Sequence, residues 1–301
     1  MHKLLTDSPG KEMLLLGNEA IARGALEAGL SFATCYPGTP SSEIPEQFFR
    51  ISQETDLYFE YSTNEKVALE VGAGAAVSGL RTMVTMKHVG LNVAADPLMT
   101  LAYSGVKAGM VIVTADDPYL FSSQNEQDNR YYARLSGLPM LEPTNTQEMK
   151  DITKMAFDLS EQLELPVLLR TTTRLNHVRG KVVLGELQPI RTKGEFRRNP
   201  FHFVAIPAVS RKLHKLLLEK YDQAARKAES WPTNQIIGNG PWGIVTNGVS
   251  FNYVSDAISD LGIQDKVTIL KLGFSWPLPK GLIKQFLDQV DKVLVVEELE
   301  P

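Results

Sequence analysis

The stretch LYFEYSTNEKVALEVGAGAAVSGLRTMVTMK, residues 57–87, contains one complete unit of the fold. Its two ends are short runs rich in aromatic or β-branched side chains, which is typical of buried strands. Between them lies a helical pattern that begins after a Ser-Thr-Asn group and ends at Gly79. A strand, a helix and a second strand in this order predict two parallel strands joined by a crossover helix.

The same alternation continues on both sides of this unit. Further strands are predicted within residues 31–38, 109–115, 138–143 and 166–172, with helical patterns between most of them. Strands that alternate with helices of ten or more residues predict an α/β fold with a mostly parallel, doubly wound sheet. In such sheets ligands bind at the carboxyl ends of the strands.

The composition changes after about residue 185, and three domains follow from this change. Residues 1–185 form the first α/β domain, and residues 186–240 read as a connector that contains a charged amphipathic helix and the loop WPTNQIIGNGP. A second α/β unit occupies residues 241–301 and stops directly after a predicted strand.

Composition and charge narrow the class of protein. The chain has 301 residues, of which 43% are hydrophobic and 22% charged, and its net charge of −4 gives no reason to expect nucleic-acid binding. The one cysteine, Cys35, excludes a disulfide framework, and we predict no metal ligands. No apolar run reaches the roughly 18 residues of a membrane span. We expect a cytoplasmic protein that binds no membrane.

The helical pattern within residues 61–79 carries the first candidate site. Ser62 and Glu65 have the spacing of a capping box, so Glu65 has a structural interpretation beside a catalytic one. Glycine within a helix costs about 1 kcal/mol relative to alanine. Gly72 and Gly74 therefore indicate either tight helix packing or the close approach of a ligand.

Three further segments follow predicted strands. The turn CYPGTPSSE, residues 35–43, leads into a helix N-terminus and suits either an anion or a simple cap. His88 and Gly90 lie in KHVGLN, a loop where the histidine is either structural or ligand-binding. Asp116 and Asp117 begin a long polar loop, where they are either solvated or functional.

Together these segments resemble the 2-oxoacid:ferredoxin oxidoreductases, and most closely the branch of that family that acts on indolepyruvate. The motifs that carry the resemblance are YPGTPSSEI, NEKVALEVGAGAAVSG, KHVGLNVAADP and ADDPYLFSSQNEQDNR. They occur in the order and at the spacing of the family, and the resemblance covers nearly the whole chain. It implies a pyrimidine-binding domain followed by an incomplete unit of the transketolase C-terminal type.

The family uses thiamine diphosphate, so the resemblance implies which residues contact it. Aligning the glycine-rich helix assigns to Glu65 the carboxylate that bonds the aminopyrimidine ring nitrogen, with Glu70 as the second choice. Gly38, Gly90 and Asn92 are implied as further cofactor-binding residues.

The resemblance also implies a reaction and substrate contacts. Thr39 lies where relatives contact the carboxylate of the 2-oxoacid. Asp116 stands where pyruvate-specific relatives have an arginine, which favours a larger, aryl substrate. His88 is expected to face the substrate or the thiazolium ring. The expected reaction is the oxidative decarboxylation of aryl 2-oxoacids of the indolepyruvate type to aryl-acetyl-CoA, with ferredoxin as the electron acceptor.

Some parts of the family pattern are missing from this chain. It lacks the Gly-Asp-Gly motif for magnesium and the cysteines for 4Fe-4S clusters, which need about four thiolates each. The resemblance implies that this is roughly the N-terminal half of the usual subunit, which acts in an oligomer with a second (beta) subunit, coenzyme A and ferredoxin. Two alternatives stay open: a half-subunit of a non-redox 2-oxoacid decarboxylase, and a non-catalytic scaffold subunit.

Overall fold

The computed structural model describes residues 2–301, and strands alternate with helices through its first 183 residues as predicted. The strands of this part are β1 (Glu12–Leu16), β2 (Phe32–Cys35), β3 (Tyr58–Tyr61), β4 (Thr82–Lys87), β5 (Met110–Asp116), β6 (Met140–Leu141), β7 (Val167–Thr172) and β8 (Arg179–Val183). The helices are α1 (Gly17–Glu27), α2 (Glu43–Ser52), α3 (Glu65–Val77), α4 (His88–Val93), α5 (Ala95–Ser104), α6 (Arg130–Ser136), α7 (Thr146–Leu163) and α8 (Thr173–His177).

The rest of the chain contains the connector and the second unit. Its helices are α9 (Pro200–Phe203), α10 (Pro207–Ala228), α11 (Ser250–Leu261) and α12 (Lys280–Leu287). Its strands are β9 (Gln235–Gly238), β10 (Trp242–Asn247), β11 (Val267–Leu272), β12 (Phe274–Trp276) and β13 (Lys292–Val296). Short 3₁₀ turns cover Lys3–Leu5 and Gln264–Lys266. In the part of the chain that is described, no helix combines the length and the apolar character needed to cross a bilayer.

Seven strands form the central sheet in the order β12-β6-β7-β5-β4-β2-β3. All neighbours pair in parallel except β12, which runs antiparallel to β6. The predicted mostly parallel sheet is therefore confirmed. Strand β2 lies between β3 and β4. The chain therefore adds β3 on one side of β2 and then adds β4 and the later strands on the other side. This reversal is a topological switch point, where α/β sheets bind their ligands.

Helices cover both faces of the sheet. Helices α1 and α7 pack against each other on one face, and α3 and α5 pack on the other. Strands β5 and β7 are buried along their whole length, which explains their continuous apolar runs in the sequence. Helix α3 comes close to β4 at Gly72, where a Cβ atom would lie 2.5 Å from Cγ2 of Val84. Gly74 faces open space, so close approach explains only one of the two glycines.

The second unit is a four-stranded sheet in the order β13-β10-β11-β9. Strand β9 lies in the segment that the sequence predicts as a connector loop, so this part of the prediction is wrong. Its residues extend because they pair antiparallel with β11. Strand β12 leaves the second unit and joins the first sheet beside β6. Residues on both sides of the predicted boundary at residue 241 therefore belong to the same seven-stranded sheet.

Candidate functional site

The carboxyl ends of β2 and β4 meet at the switch point. The turn after β2 contains Gly38, and β4 ends at Lys87. A Cβ atom at Gly38 would lie 2.7 Å from Cβ of Lys87, so the turn lies directly on the base of the lysine side chain. The absence of a side chain at position 38 thus brings the two strand ends together.

Glu65 is the first residue of α3, and it does not form the predicted capping box. The N-cap is Asn64, whose Oδ1 accepts a hydrogen bond of 3.0 Å from the backbone N–H of Val67. Asn64 has an extended backbone (φ −163°, ψ 174°), as N-cap residues do, so the helix begins two residues later than the Ser62 cap requires. The carboxylate of Glu65 is therefore free for another role.

The Glu65 side chain points toward α4. A Cβ atom at Gly90 would lie 2.6 Å from both Cγ and Oε1 of Glu65. Glu65 is only 9% exposed, and within residues 2–301 its carboxylate has neither a hydrogen bond nor an ion pair. A largely buried glutamate whose carboxylate has no protein partner, at the end of the sheet where ligands bind, is a candidate ligand contact.

Helix α4 replaces the loop that the sequence predicts at residues 88–92. Helix α4 begins at His88, directly after the last residue of β4, and it contains three of the predicted site residues. His88 and Gly90 are buried, whereas Asn92 is exposed and accepts a hydrogen bond of 2.6 Å from the Tyr132 hydroxyl. The helix directs Gly90 toward Glu65, and its opposite side carries Asn92.

His88 is fully buried beneath the loop that follows β5. Its Nε2 lies 3.1 Å from the backbone carbonyl of Asn125, and its Nδ1 has no partner in the described chain. Burial lowers the pKa of His88, so the imidazole is neutral at neutral pH. The expected contact of His88 with substrate or thiazolium stays a prediction, since the side chain has no exposed surface here.

Asp116 is the last residue of β5 and is also buried. It accepts a hydrogen bond of 2.6 Å from Nε of Arg170 and another of 3.1 Å from the backbone N–H of Asn129. Burial raises the pKa of Asp116 to about 6, although Arg170 acts in the opposite direction. The solvated-loop interpretation of Asp116 and Asp117 is wrong, since both are at most 1% exposed. A substrate contact by Asp116 stays a prediction.

Arg170 is a residue that the sequence reasoning missed. Its guanidinium lies between Asp116 and Glu142, and Glu142 also accepts a hydrogen bond of 3.0 Å from Asn247 of the second unit. An arginine within the apolar run PVLLRTT was the available signal, because a charge in a buried strand needs a partner.

Thr39 is exposed on the turn after β2, where a ligand can reach it. The Ser41 hydroxyl is already used, since it donates to the carbonyl of Gly38 at 2.9 Å. Helix α2 begins at Glu43 and carries two glutamates in its first turn. Acidic side chains in the first turn disfavour the anion interpretation of this N-terminus, and the N-cap Ser42 makes no side-chain capping bond, so the simple-cap interpretation is not met either.

A doubly wound sheet, with a nearly buried and unpartnered carboxylate at its switch point, defines a ligand-binding domain of the α/β class. The chain matches the family model described as the thiamine diphosphate-binding part of pyruvate flavodoxin/ferredoxin oxidoreductase over residues 23–229. The chain therefore belongs to the pyruvate flavodoxin/ferredoxin oxidoreductase family, as the sequence motifs indicated.

Individual relatives agree with this membership. Indolepyruvate oxidoreductase subunit IorA of Methanothermobacter thermautotrophicus is 49% identical over 304 residues, which cover 100% of this chain and 49% of the relative. This chain thus spans about half the length of the curated relatives it matches.

Two solved structures share the fold. The 2-oxoglutarate:ferredoxin oxidoreductase of Magnetococcus marinus superposes with a TM-score of 0.80 at 16% identity, covering 96% of this chain and 58% of that one. A split-gene transketolase superposes with a TM-score of 0.59 at 14% identity, covering 94% of this chain and 80% of that one. Because both identities are low, these two likenesses show the fold alone.

Proposed function

We propose that this chain is the pyrimidine-binding part of an oxidoreductase that oxidatively decarboxylates aryl 2-oxoacids of the indolepyruvate type. Ferredoxin takes the electrons, and coenzyme A takes the acyl group to form aryl-acetyl-CoA. The names of the relatives that match at about half identity support the substrate class. A second (beta) subunit and the remaining length of such proteins supply magnesium, 4Fe-4S clusters and the diphosphate site.

The free carboxylate of Glu65 is the observation that carries this proposal. A carboxylate that has no partner in the described chain can hydrogen-bond to a ring nitrogen of a ligand. The missing side chains of Gly38 and Gly90 make the space that Lys87 and Glu65 occupy, and Thr39 is exposed and open to the substrate. Asn92 lies farther out on α4, which makes it the weakest of the expected cofactor contacts.

Bound thiamine diphosphate supplies a carbon nucleophile for the keto group of a 2-oxoacid and an electron sink for the electrons left when CO₂ departs. Glu65 orients the aminopyrimidine ring and exchanges a proton at the ring nitrogen. His88 is held neutral by burial, and its unpartnered Nδ1 is the ring atom that could bond to a ligand if the loop over it moved. Lys87 and His88 both bond to carbonyls of the loop after β5, which keeps this side of the cleft closed.

The substitution Glu65→Gln tests the catalytic assignment in the complete protein with its partner subunits. We expect turnover of an aryl 2-oxoacid to fall by about 10²–10⁴-fold, the usual loss when an acid–base group is removed. Thermal stability should change little, because Asn64 provides the helix cap. Glu70→Gln is the matched control: Glu70 is exposed on the same helix, five residues further on, and should retain full activity.

Three measurements separate this proposal from its alternatives. Thiamine diphosphate binding by calorimetry reports on the site itself, CO₂ release reports on decarboxylation, and reduction of ferredoxin reports on electron transfer. Unchanged turnover in Glu65→Gln would leave the carboxylate without a catalytic role. CO₂ release without ferredoxin reduction would instead support a non-redox decarboxylase, and no thiamine diphosphate binding would support a scaffold subunit.

A further inference from the structure

We propose that Lys87 binds the carboxylate of the 2-oxoacid substrate. This inference rests on the proposed function, because it assigns a contact within the same cleft. A 2-oxoacid carries a full negative charge beside its reacting keto group. A cleft that already contains the free carboxylate of Glu65 needs a cation to hold such a substrate in it.

The other cations near this edge of the sheet already have partners. Arg170 is bonded to Asp116 and Glu142 and is only 3% exposed. Arg130 is paired with Asp128 and with a carboxylate near the end of the chain. Guanidinium groups that neutralise buried carboxylates are not free to bind a further anion.

Two more exposed cations are also engaged. Lys66 forms an ion pair of 2.8 Å with Asp96 on the outside of α3 and α5. Arg174 extends over the rings of Phe121 and Tyr253, 5.6 and 5.8 Å from their centres. Both cations are therefore already engaged.

Lys87 differs from these cations because its partner is a backbone carbonyl, which carries no full charge. Its ammonium donates one hydrogen bond of 2.8 Å to the backbone carbonyl of Ser122, and within residues 2–301 it has no ion pair. Asp117, a neighbouring carboxylate, is already bonded to Ser122, Ser123 and Thr173. Because an ammonium has three N–H donors, two of them remain for a ligand.

The position of Lys87 fits recognition at the switch point. Its Cβ, Cγ and Cδ atoms lie along the surface that the missing side chain of Gly38 leaves open. Thr39 follows Gly38 and is exposed. Lys87 and Thr39 therefore lie at the same turn at the end of β2, where both can donate hydrogen bonds to a carboxylate.

The test compares two ligands that differ only in charge: an arylpropionate, which resembles the substrate without its keto group, and the matching arylpropionamide. Their inhibition constants are measured on the complete enzyme with its partner subunits and thiamine diphosphate. Wild-type protein should prefer the acid. In Lys87→Gln we expect the acid to bind about tenfold or more weakly, the loss of about 1.4 kcal/mol of binding, while the amide changes little. Lys87→Arg should retain part of the preference.

Lys107→Gln is the control, since it removes the same charge at an exposed position that precedes β5, at the opposite edge of the sheet. It should leave the preference for the acid unchanged. If Lys87 only anchors the loop through Ser122, both ligands should weaken equally in Lys87→Gln, which would overturn the proposal. An unchanged preference for the acid in Lys87→Gln would overturn it as well.

A failure of the proposed function can be distinguished from a failure of the Lys87 proposal. If wild-type protein oxidises an aliphatic 2-oxoacid and no aryl one, the aryl assignment is wrong. The acid and amide pair is then built on the aliphatic substrate, and it still decides the role of Lys87.

Discussion

At the scale of single residues, the contact between Glu65 and Gly90 sets the position of the carboxylate. Glu65 leaves the first turn of α3, and the missing side chain of Gly90 makes the space that its Cγ and Oε1 atoms occupy. Neither residue is part of a hydrogen-bond network that would otherwise hold the carboxylate in this place. Packing against α4 therefore orients the group.

The substitution Gly90→Ala tests this packing. The added methyl group would lie 2.6 Å from Glu65 and force the carboxylate to move. We expect thiamine diphosphate affinity and turnover to fall about tenfold, since displacement of a catalytic group by about 1 Å has large effects on rate. The free energy of unfolding should change by less than about 1 kcal/mol, because alanine favours the helix. Additive losses in a Gly90→Ala, Glu65→Gln double variant would contradict the proposed coupling.

At the scale of secondary-structure elements, helix α3 both presents a site residue and packs closely against the sheet. Its first turn presents Glu65 at the cleft, and its middle must approach β4 closely enough to fix that turn. Gly72 provides the approach, since Val84 occupies the position where its side chain would be. A Cβ atom added at Gly74 would have no neighbour within 4 Å in the described chain, so this position carries only the ordinary cost of glycine in a helix.

Alanine at these two positions should therefore have effects of opposite sign. Gly72→Ala places a methyl group 2.5 Å from Val84, and overpacking of this kind destabilises by about 1–3 kcal/mol. Gly74→Ala should stabilise by about 0.5–1 kcal/mol, the difference in helix propensity. Chemical denaturation of the two variants measures both values. A loss of stability in Gly74→Ala would mean that a contact absent from this chain covers that position.

At the scale of the whole molecule, Asn234 ties the connector to both sheets. The residue is 9% exposed and follows α10. Its Nδ2 donates to the carbonyl of Ala228 at 2.8 Å, and its Oδ1 accepts from the backbone N–H groups of Gly273 and Phe274, each at 2.8 Å. These bonds hold the start of β12, the strand through which the second unit enters the first sheet.

Removing this side chain should weaken the junction. Asn234→Ala removes the side-chain partner of two backbone donors and one of the two hydrogen bonds to the Ala228 carbonyl, so we expect a loss of about 2–4 kcal/mol in the free energy of unfolding. Gln235→Ala is the control, because Gln235 is exposed and donates only to the nearby carbonyl of Pro232. It should change stability by less than about 0.5 kcal/mol. Equal losses in both variants would contradict the role of Asn234.

The sequence by itself determined the features that depend on local pattern. A strand that is buried on both faces appears as a continuous apolar run, whereas a helix that is buried on one face has apolar residues three or four positions apart. These two patterns predicted the strands and helices of the first sheet. The motif around Glu65 indicated both the family and the candidate carboxylate. The predicted N-cap, Ser62, lies two residues before the observed one, Asn64. Both residue types are good N-caps, and only the backbone geometry distinguishes them.

Only the tertiary structure decided the contacts between residues that are far apart in sequence. Arg170 meets Asp116 and Glu142 because three strands bring their ends together, and no local pattern contains that pairing. Strand β9 forms because β11 offers it a partner, and β12 crosses into the first sheet because β6 leaves an open edge. The free charge of Lys87 could be recognised only after the partners of the other cations were known. These contacts depend on which elements become neighbours, whereas the elements themselves depend on local sequence.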